Sequence, residues 1–401
     1  MMIPERPSLE RRVLSALDGI AGGGPRIPVV LGGCGTGRTS LLLRVRDLIG
    51  RNACQYIDIE RIATTPERML QAIRDASAFP FHGAAAASPA EANARAAFDA
   101  TLAFLSSSRA PGDSPATFLL DEFLELRTFE SFPGLRSVLR DLITGLAATG
   151  NRFVLTSRYT ARALRALRDA PAQFEIVLVA PLSAAEIRAT LPAGLEGSGN
   201  ELRDTEDDRA RDEFARLVQA LSEGRPAYAR MLVDTATTMA TRGAPDPVAA
   251  LAALLGPGGA LANHCRFSYE LRLHRARGYG ALKAILEVLS EEEPLTLTEI
   301  ALRLRRTPGS TKDYLSWLED VDLIISRQKR YSFADPMIRL WVRLHCRPAP
   351  PSDEDVVREV HRYVMSRLPA ATATSSPAMA LAGATQPAAE PDKAWGIIEI
   401  D

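Results

Sequence analysis

The fold of this chain is decided by Val29-Val30-Leu31-Gly32-Gly33-Cys34-Gly35-Thr36-Gly37-Arg38-Thr39-Ser40. The segment fits the phosphate-loop pattern G-x-x-x-x-G-K-[ST] at Gly32, Gly37 and Thr39, with Arg38 where that pattern has lysine. Glycines let backbone N–H groups surround a phosphate, and a following helix adds the positive end of its dipole. Residues 27–31 are predicted to form a buried strand, and residues 40–49 an apolar-faced helix ended by Gly50. The sequence therefore predicts a phosphate loop.

A second motif lies further along the chain. Residues 116–120 form an apolar run that ends in two adjacent carboxylates, Asp121 and Glu122. Asp121 is predicted to hold Mg²⁺ together with the Thr39 hydroxyl, because Mg²⁺ prefers oxygen ligands. Glu122 is predicted to orient or deprotonate the water that attacks a γ-phosphate. Together, the two motifs predict nucleotide binding.

Arg38 departs from the usual pattern, and it is a candidate catalytic residue with Glu122. Lysine is a compact charge on a flexible stem, whereas arginine is planar and forked, so the exchange is not conservative at a tight site. One interpretation is impaired hydrolysis with nucleotide binding retained. The other is compositional drift, because the chain has only four lysines and none precedes Lys283. In the second case the loop has adapted to arginine.

Composition limits the classes of protein that this chain can be. It has 401 residues, 46% of them hydrophobic, and a formal net charge of −1, which argues against a general nucleic-acid-coating protein. Four scattered cysteines, Cys34, Cys54, Cys265 and Cys346, form no C-x-x-C pair and fit a reducing cytosol. Cys34 is interpreted as a small residue that fits a tight turn, in preference to a redox switch. With no signal-peptide pattern and no apolar run of about 20 residues, a cytoplasmic protein without a membrane partner is expected.

The fold class expected is α/β: a P-loop parallel sheet with a helical lid, followed by an α+β winged helix-turn-helix domain. Strands are predicted over residues 27–31, 54–59, 116–120, 152–158 and 174–179, with helical runs between them. Helices are predicted over residues 65–74, 91–106 and 132–149. The predicted ATPase domain is 1–180, and the helical lid is 181–276, with a polar loop over 196–212.

The carboxyl-terminal part is predicted to contain a winged helix over residues 277–348. Helices over 281–289, 297–304 and 310–318 precede two strands, 323–326 and 330–333, which pair across a short turn. One further helix is expected over 353–368, within the segment 349–368. Residues 369–401 are expected to be a disordered linker ending in an apolar peptide with Trp395, either a frayed end or a docking segment.

Several of these stretches together resemble the archaeal-type ATPases of the STAND and AAA+ groups, over about residues 20–348. The resemblance rests on the phosphate loop, on residues 119–126 and 155–158, on Gly224-Arg225-Pro226 and on residues 331–341. It implies ATP as the nucleotide. It also implies that Ser157 and Arg158 detect the γ-phosphate, and that Gly224, Arg225 and Pro226 belong to the element that closes over the nucleotide. The implied nucleotide-binding residues are Gly32, Gly33, Cys34, Gly35, Thr36, Gly37, Arg38, Thr39, Ser40, Ser157, Arg158, Arg225 and Pro226.

Three functional classes remain open. The main interpretation is an ATP-dependent switch with slow hydrolysis that acts on a protein partner or in a homo-oligomer. The second is a DNA-binding ATPase resembling origin-recognition or transposition regulators, and the third is a nucleotide-stabilised adaptor without turnover. The expected recognition helix, residues 309–320, carries one lysine against three acids, so only weak, sequence-indifferent DNA binding is expected. The cations that would carry it are Arg303, Arg305, Arg306, Arg327, Lys329 and Arg330.

Overall fold

The structure is a computed structural model that describes residues 6–19, 24–80, 93–191, 201–240, 245–274, 276 and 278–368, with side chains omitted over 201–207. The chain divides into two units, Met1–Arg367 and Leu368–Asp401. All helices and strands given below belong to the first unit. The predicted linker and terminal peptide, 369–401, lie outside the described residues, as do residues 196–200 at the start of the predicted loop.

A five-stranded parallel sheet forms the first part of the chain. The strands agree with the predicted ones to within one residue at each end, and they are β1 (Ile27–Leu31), β2 (Cys54–Asp58), β3 (Thr117–Asp121), β4 (Arg152–Ser157) and β5 (Phe174–Leu178). Their order in the sheet is β2-β3-β4-β1-β5, so that β1 lies between β4 and β5. β1 and β3 are buried along their whole length, as expected for a sheet covered on both faces.

Helices flank this sheet. They are α1 (Pro7–Asp18), α2 (Arg38–Ile49), α3 (Ile59–Ile62), α4 (Pro66–Asp75), α5 (Ala94–Ser107), α6 (Val138–Ala147) and α7 (Thr160–Ala166). The helix predicted over 132–149 is shorter than expected, because Pro133 and Gly134 (φ +78°) interrupt the chain. A 3₁₀ segment, Phe123–Ser131, precedes it. Helix α1 was not predicted, although Val13 and Leu17 pack with Val30 and Leu42 in the core under the phosphate loop.

The lid helices are α8 (Ala184–Ala189), α9 (Glu201–Ser222), α10 (Pro226–Met239), α11 (Pro247–Leu255) and α12 (Ala260–His274). The loop predicted over 196–212 is wrong from Glu201 onward, because these residues begin helix α9. The polar composition belongs to an exposed helix face, where Asp208 and Asp212 pair with Arg188 at 2.8 and 3.1 Å. The later turns of α9 bury Val218 and Leu221, so tertiary packing stabilises a helix that local composition does not suggest.

The carboxyl-terminal part has the winged helix-turn-helix arrangement. Its elements are α13 (Tyr279–Glu291), β6 (Leu295–Thr296), α14 (Leu297–Arg303), α15 (Pro308–Asp320), β7 (Ile324–Arg327) and β8 (Arg330–Phe333). The strands form an antiparallel sheet of order β6-β8-β7, in which β6 is a strand that the sequence did not predict. Helices α16 (Pro336–His345) and α17 (Asp353–Met365) follow, and α17 ends slightly before the predicted boundary.

The predicted fold class, an α/β P-loop sheet with a helical lid and an α+β winged helix, is therefore confirmed. Across the described part of the chain, no single helix has the length and apolar composition needed to cross a membrane. The bent pair α11 and α12 passes that test only when the two helices are counted together.

Candidate nucleotide site

The phosphate loop, residues 32–40, leaves β1 at the carboxyl edge of the sheet and ends in the first turn of α2. Gly35 (φ +75°) and Gly37 (φ +88°) hold left-handed backbone conformations that favour glycine. A Cβ on Gly35 would lie 3.0 Å from the Cβ of Ala227, and one on Gly33 would lie 3.2 Å from the Arg225 guanidinium. The loop is therefore a tight backbone turn that other parts of the protein approach closely. Its local geometry fits a phosphate at the start of α2.

Arg38 is buried, with 7% of its surface exposed. Its Nη1 donates to the carbonyl oxygens of Gly32 and Gly33, the latter at 2.5 Å. Its Nη2 lies 2.5 Å from the Glu122 carboxylate. A forked guanidinium can make both sets of contacts at once, whereas a lysine ammonium is a single point. Arg38 thus joins the phosphate loop to the end of β3.

Glu122 follows β3 in a left-handed conformation (φ +57°) and has 5% of its surface exposed. Besides Arg38, it contacts Arg158, whose backbone N–H donates to Oε2 at 3.0 Å and whose Nε lies 3.1 Å from Oε1. Burial raises the pKa of the Glu122 carboxyl, but Arg38 and Arg158 outweigh it, so the pKa is lowered. Arg158 also pairs with Glu60. The carboxylate is therefore held in its charged form.

Asp121 and Thr39, the two predicted Mg²⁺ ligands, lie together. The Thr39 hydroxyl donates to Asp121 Oδ2 at 2.8 Å, and Tyr56 donates to the same oxygen at 2.8 Å. Thr156 donates to the other carboxylate oxygen. These are oxygen donors of the kind that Mg²⁺ takes, usually together with water and phosphate oxygens. Among the described residues there is no cluster of three or more His, Cys, Asp or Glu side chains that could hold a metal ion.

Residues at the end of β4 and at the start of α10 also reach the loop. Ser157 is fully buried, pairs in register with Leu31, and its Oγ accepts from the backbone of Tyr159 at 3.0 Å. Arg225 donates to the Cys34 carbonyl at 3.4 Å, and Pro226 lies against Gly37. The structure thus places all the predicted nucleotide-binding residues around one loop.

Five further contacts around the loop were not predicted. Arg225 also pairs with Asp335 at 3.0 Å and donates to Ala334 O at 3.2 Å, both at the start of α16. The Ala227 backbone N–H donates to the Gly35 carbonyl at 3.1 Å. On α12, the buried Arg272 faces Cys34 and donates to Asp322 O at 2.7 Å. No local pattern identifies such pairs, because the partners are far apart in sequence.

A small cavity of about 20 Å³ adjoins the loop beside α1. It is also a region that sequence reasoning missed, because α1 itself was not predicted. Its lining combines charged and apolar side chains from α1, the loop, α2 and α10: Arg6, Glu10, Thr36, Gly37, Ser40, Leu41, Arg44 and Pro226.

No protein-family model and no curated protein matches this chain. Among solved structures, it is similar to a Walker-type ATPase of Pyrococcus abyssi, with 16% identity and a TM-score of 0.60, over 85% of this chain and 96% of that one. Weaker similarity extends to the Aeropyrum pernix Orc1 protein in complex with DNA (17% identity, 92% and 95% of the two chains, TM-score 0.43). It also extends to Cdc6p of Pyrobaculum aerophilum (14% identity, 92% and 97% of the two chains, TM-score 0.39). The first similarity shows that this chain has the fold of a Walker-type P-loop ATPase.

Proposed function

We propose that this protein binds ATP with Mg²⁺ and acts as a slow, nucleotide-controlled switch. The observation that carries the proposal is the hydrogen bond from Thr39 to Asp121, which joins the start of α2 to the end of β3. It brings an oxygen pair suited to Mg²⁺ next to a glycine loop suited to phosphates. The phosphates would be held by the backbone of residues 32–40, and Mg²⁺ by Thr39 and Asp121. Bound Mg²⁺ would neutralise phosphate charge.

Slow hydrolysis is supported by the environment of Glu122. A carboxylate whose pKa is lowered by two guanidinium groups is a weak base, so its capacity to take a proton from water is small. Arg38 is therefore assigned two functions: it contacts phosphate when nucleotide is present, and it restrains Glu122. Arg158 restrains the same carboxylate from the end of β4.

The switch function is supported by the contacts that leave the loop on its other side. Arg225 contacts both the Cys34 carbonyl and the Asp335 carboxylate, so it is a partner that the phosphate loop and the winged-helix part share. The backbone N–H of Ala227 also donates a hydrogen bond to the Gly35 carbonyl. Moving the loop to fit a nucleotide would disturb these bonds. A ligand shifts a conformational equilibrium only through such differential contacts. A protein partner or a second copy of the chain would bind the two arrangements of these contacts with different affinity.

The test is ATP titration of the full chain with and without Mg²⁺. Gly37→Val should weaken ATP binding by about 100-fold or more, about 2.7 kcal/mol, because valine is strained at φ +88°. Gly150→Val is the matched control, since Gly150 has ordinary backbone geometry and open space around it. Asp121→Asn, which keeps the shape of the side chain, should remove the dependence of binding on Mg²⁺. Equal ATP affinity in wild type and Gly37→Val would contradict the proposal.

A second candidate function, weak DNA binding, is favoured by the turn between β7 and β8. Arg327 and Lys329 are exposed there and have no ion pair within the described residues. Two of the other predicted DNA contacts have acidic neighbours: Arg303 pairs with Glu292 at 2.5 Å, and Arg330 lies 3.9 Å from Glu299. The acidic end of α15 contacts the ATPase part through Asp320 and Arg165. We therefore propose non-specific contact with phosphates rather than sequence reading.

A further inference from the structure

Cys34 lies in the middle of the phosphate loop and is partly exposed. Its backbone carbonyl accepts a hydrogen bond from Arg225 at 3.4 Å, and its thiol faces helix α12. The same helix approaches the next loop residue, because a Cβ on Gly35 would lie 3.9 Å from His264 Nε2. The described parts of the chain contain three other cysteines, Cys54, Cys265 and Cys346, so the loop thiol can be compared with three thiols in the same protein.

Helix α12 presents three polar side chains toward the loop. His264, Ser268 and Arg272 are spaced four residues apart, so they lie on one face of the helix. Only 3% of Ser268 and 2% of Arg272 is exposed. Within the described residues, Ser268 Oγ, Arg272 Nε and His264 Nε2 have no oxygen or nitrogen as a hydrogen-bond partner. Ser268 and Arg272 face the Cys34 thiol instead. Buried polar atoms are nearly always hydrogen-bonded, so the Ser268 hydroxyl and the Arg272 Nε–H can donate hydrogen bonds to an oxygen atom placed beside this face.

The charges around the thiol favour its ionised form. Burial raises the pKa of the Cys34 thiol, but Arg272 on α12 and Arg158 after β4 outweigh it, and the pKa is lowered. Burial also lowers the pKa of His264, which keeps that ring neutral. Arg225 lies at the loop carbonyl, and the acidic partners of Arg225 and Arg272, Asp335 and Asp322, belong to the winged-helix part. The thiol is thus surrounded by guanidinium groups.

The other three cysteines have the opposite environment. Burial raises the pKa of Cys54 to about 12. Burial is also the main cause of the raised pKa of Cys265 and of Cys346. Because the thiolate is the reactive form, only Cys34 combines exposure with a charge environment that favours reaction.

We propose that Cys34 is a modification site at which peroxides form a sulfenic acid, whose oxygen is held by Ser268 and Arg272. This replaces the interpretation of Cys34 as merely a small turn residue. The inference rests on the proposed function in one respect: the modification would control nucleotide binding, because an added oxygen occupies the loop and binds it to α12.

The chemistry balances with hydrogen peroxide as the oxidant. The thiolate sulfur attacks one peroxide oxygen, an S–O bond forms and the O–O bond breaks. Sulfur loses two electrons and the peroxide gains them. The leaving hydroxide takes a proton from solvent and becomes water. An added thiol reverses the change by forming a mixed disulfide, which a second thiol reduces.

The first experiment measures alkylation of each cysteine by iodoacetamide in the reduced full chain without nucleotide, followed by mass spectrometry. Cys34 should react at least about tenfold faster than Cys346 at pH 7, since one pKa unit changes the thiolate fraction about tenfold. Arg272→Met should slow the Cys34 reaction about tenfold and move its pH profile upward. Arg266→Met is the matched control on the same helix, because Arg266 is exposed, and it should leave the rate unchanged.

Two results would overturn the proposal: alkylation of Cys34 no faster than that of Cys346, or equal slowing by Arg266→Met and Arg272→Met. If Arg272→Met does not fold, as judged by circular dichroism, Ser268→Ala replaces it. That variant should trap several-fold less sulfenic acid with dimedone after hydrogen peroxide, and an unchanged yield would also overturn the proposal.

The second experiment measures ATP affinity before and after hydrogen peroxide. The Kd of treated wild type for ATP should be at least about tenfold higher than that of untreated wild type. Dithiothreitol should restore the original affinity. Cys34→Ser, treated in parallel, should keep the affinity it had before treatment. If untreated wild type does not bind ATP, the proposed function is wrong while the alkylation result still stands. If it binds ATP and Cys34 is unreactive, only the modification site is wrong.

Discussion

The phosphate loop has two sides that differ in the origin of their contacts. On the sheet side, Thr39 meets Asp121 and Arg38 meets Glu122, all within the first part of the chain. On the lid side, the loop meets residues that connect it to the winged helix, Arg225 with Asp335 and Arg272 with Asp322. The sheet side carries carboxylates and a hydroxyl of the kind that bind Mg²⁺ and position water. The lid side carries arginines that connect the loop to the winged helix. The phosphate-loop and Asp121-Glu122 motifs describe the first side. For the second side, the resemblance implied only that Gly224, Arg225 and Pro226 close over the nucleotide, and it did not imply the pairs with Asp335 and Asp322.

The largest effect is expected on the lid side, at Asp335. This carboxylate is 2% exposed, pairs with Arg225, accepts from the Tyr228 hydroxyl at 2.8 Å and caps α16 through the Met337 N–H at 3.0 Å. Asp335→Ala leaves Arg225 without its acid and removes the cap. The free energy of unfolding should fall by about 3–5 kcal/mol in a urea titration.

Asp335→Asn is the control for this prediction, because it keeps one oxygen for the Met337 cap while it removes the charge and the second oxygen, which Tyr228 and Arg225 contact. It should cost less stability than the alanine variant. A loss below about 0.5 kcal/mol for Asp335→Ala, the range of ordinary surface substitutions, would show that the lid side contributes little.

The next prediction concerns Arg38 on the sheet side. Lysine cannot hold the Gly33 carbonyl and the Glu122 carboxylate at once, but Arg158 still contacts Glu122 at 3.1 Å and keeps it a weak base. Because the loop contact is lost and the base is not freed, Arg38→Lys should leave ATP turnover unchanged or lower it by up to about tenfold, about 1.4 kcal/mol in the barrier. Steady-state phosphate release is the measurement. A tenfold gain in turnover would mean that arginine impairs hydrolysis and that the loop has not adapted to it.

The two sides should also respond in opposite ways to acid. The Glu122 pKa is lowered from its ordinary 4.5, because Arg38 and Arg158 outweigh burial, so its contribution to stability is present above about pH 4.5 and is lost as pH falls below it. The Asp322 pKa is raised from 3.8, because burial outweighs the backbone N–H groups of α7. Its charged form therefore costs stability at neutral pH, and that cost disappears as pH falls through the raised pKa.

Urea titrations from pH 6 to pH 3 test this contrast with Glu122→Gln and Asp322→Asn. Wild type should lose stability relative to Glu122→Gln as pH falls, and it should gain stability relative to Asp322→Asn. Parallel pH profiles for wild type and both variants would contradict the assigned charge states.

The smallest effect is expected at the exposed turn of the winged helix. Replacing both Arg327 and Lys329 by alanine should change the free energy of unfolding by no more than about 0.5 kcal/mol. It should also make the slope of log K for DNA binding against log salt concentration less steep, by the amount expected for the loss of up to about two phosphate contacts. Fluorescence anisotropy with two unrelated duplexes at several salt concentrations is the measurement, and a strong preference for one sequence would favour the regulator interpretation.

Much of the fold follows from the sequence because its signals are local. Apolar runs such as residues 27–31 and 152–157 identify the strands, and the phosphate-loop and Asp121-Glu122 motifs mark their carboxyl ends. The order of the strands and the burial of Arg38 are consistent with those motifs. The predicted loop over 196–212 failed because charged residues covered a helix whose stability comes from packing of residues such as Val218.

The rest of the site could not be predicted, because its contacts join distant parts of the chain. Arg225 and Asp335 each belong to a stretch that carries the family resemblance, but nothing in the sequence pairs the two, and only the packed structure brings them within 3.0 Å. The polar face of α12 is similar: the spacing of His264, Ser268 and Arg272 is readable, but not that it faces Cys34. Pairing across long sequence separations is set by tertiary packing rather than by propensity.

The central claim, that ATP at the loop is communicated to the winged helix, is tested most directly by hydrogen exchange of the full chain with and without ATP and Mg²⁺. The account predicts changed amide protection in two places, at residues 30–45 and at residues 330–345 around Asp335. Arg225→Met should keep the first change and lose the second, while Arg230→Met, an exposed arginine on α10, should keep both. Protection that changes only at the loop in the wild type would contradict the claim.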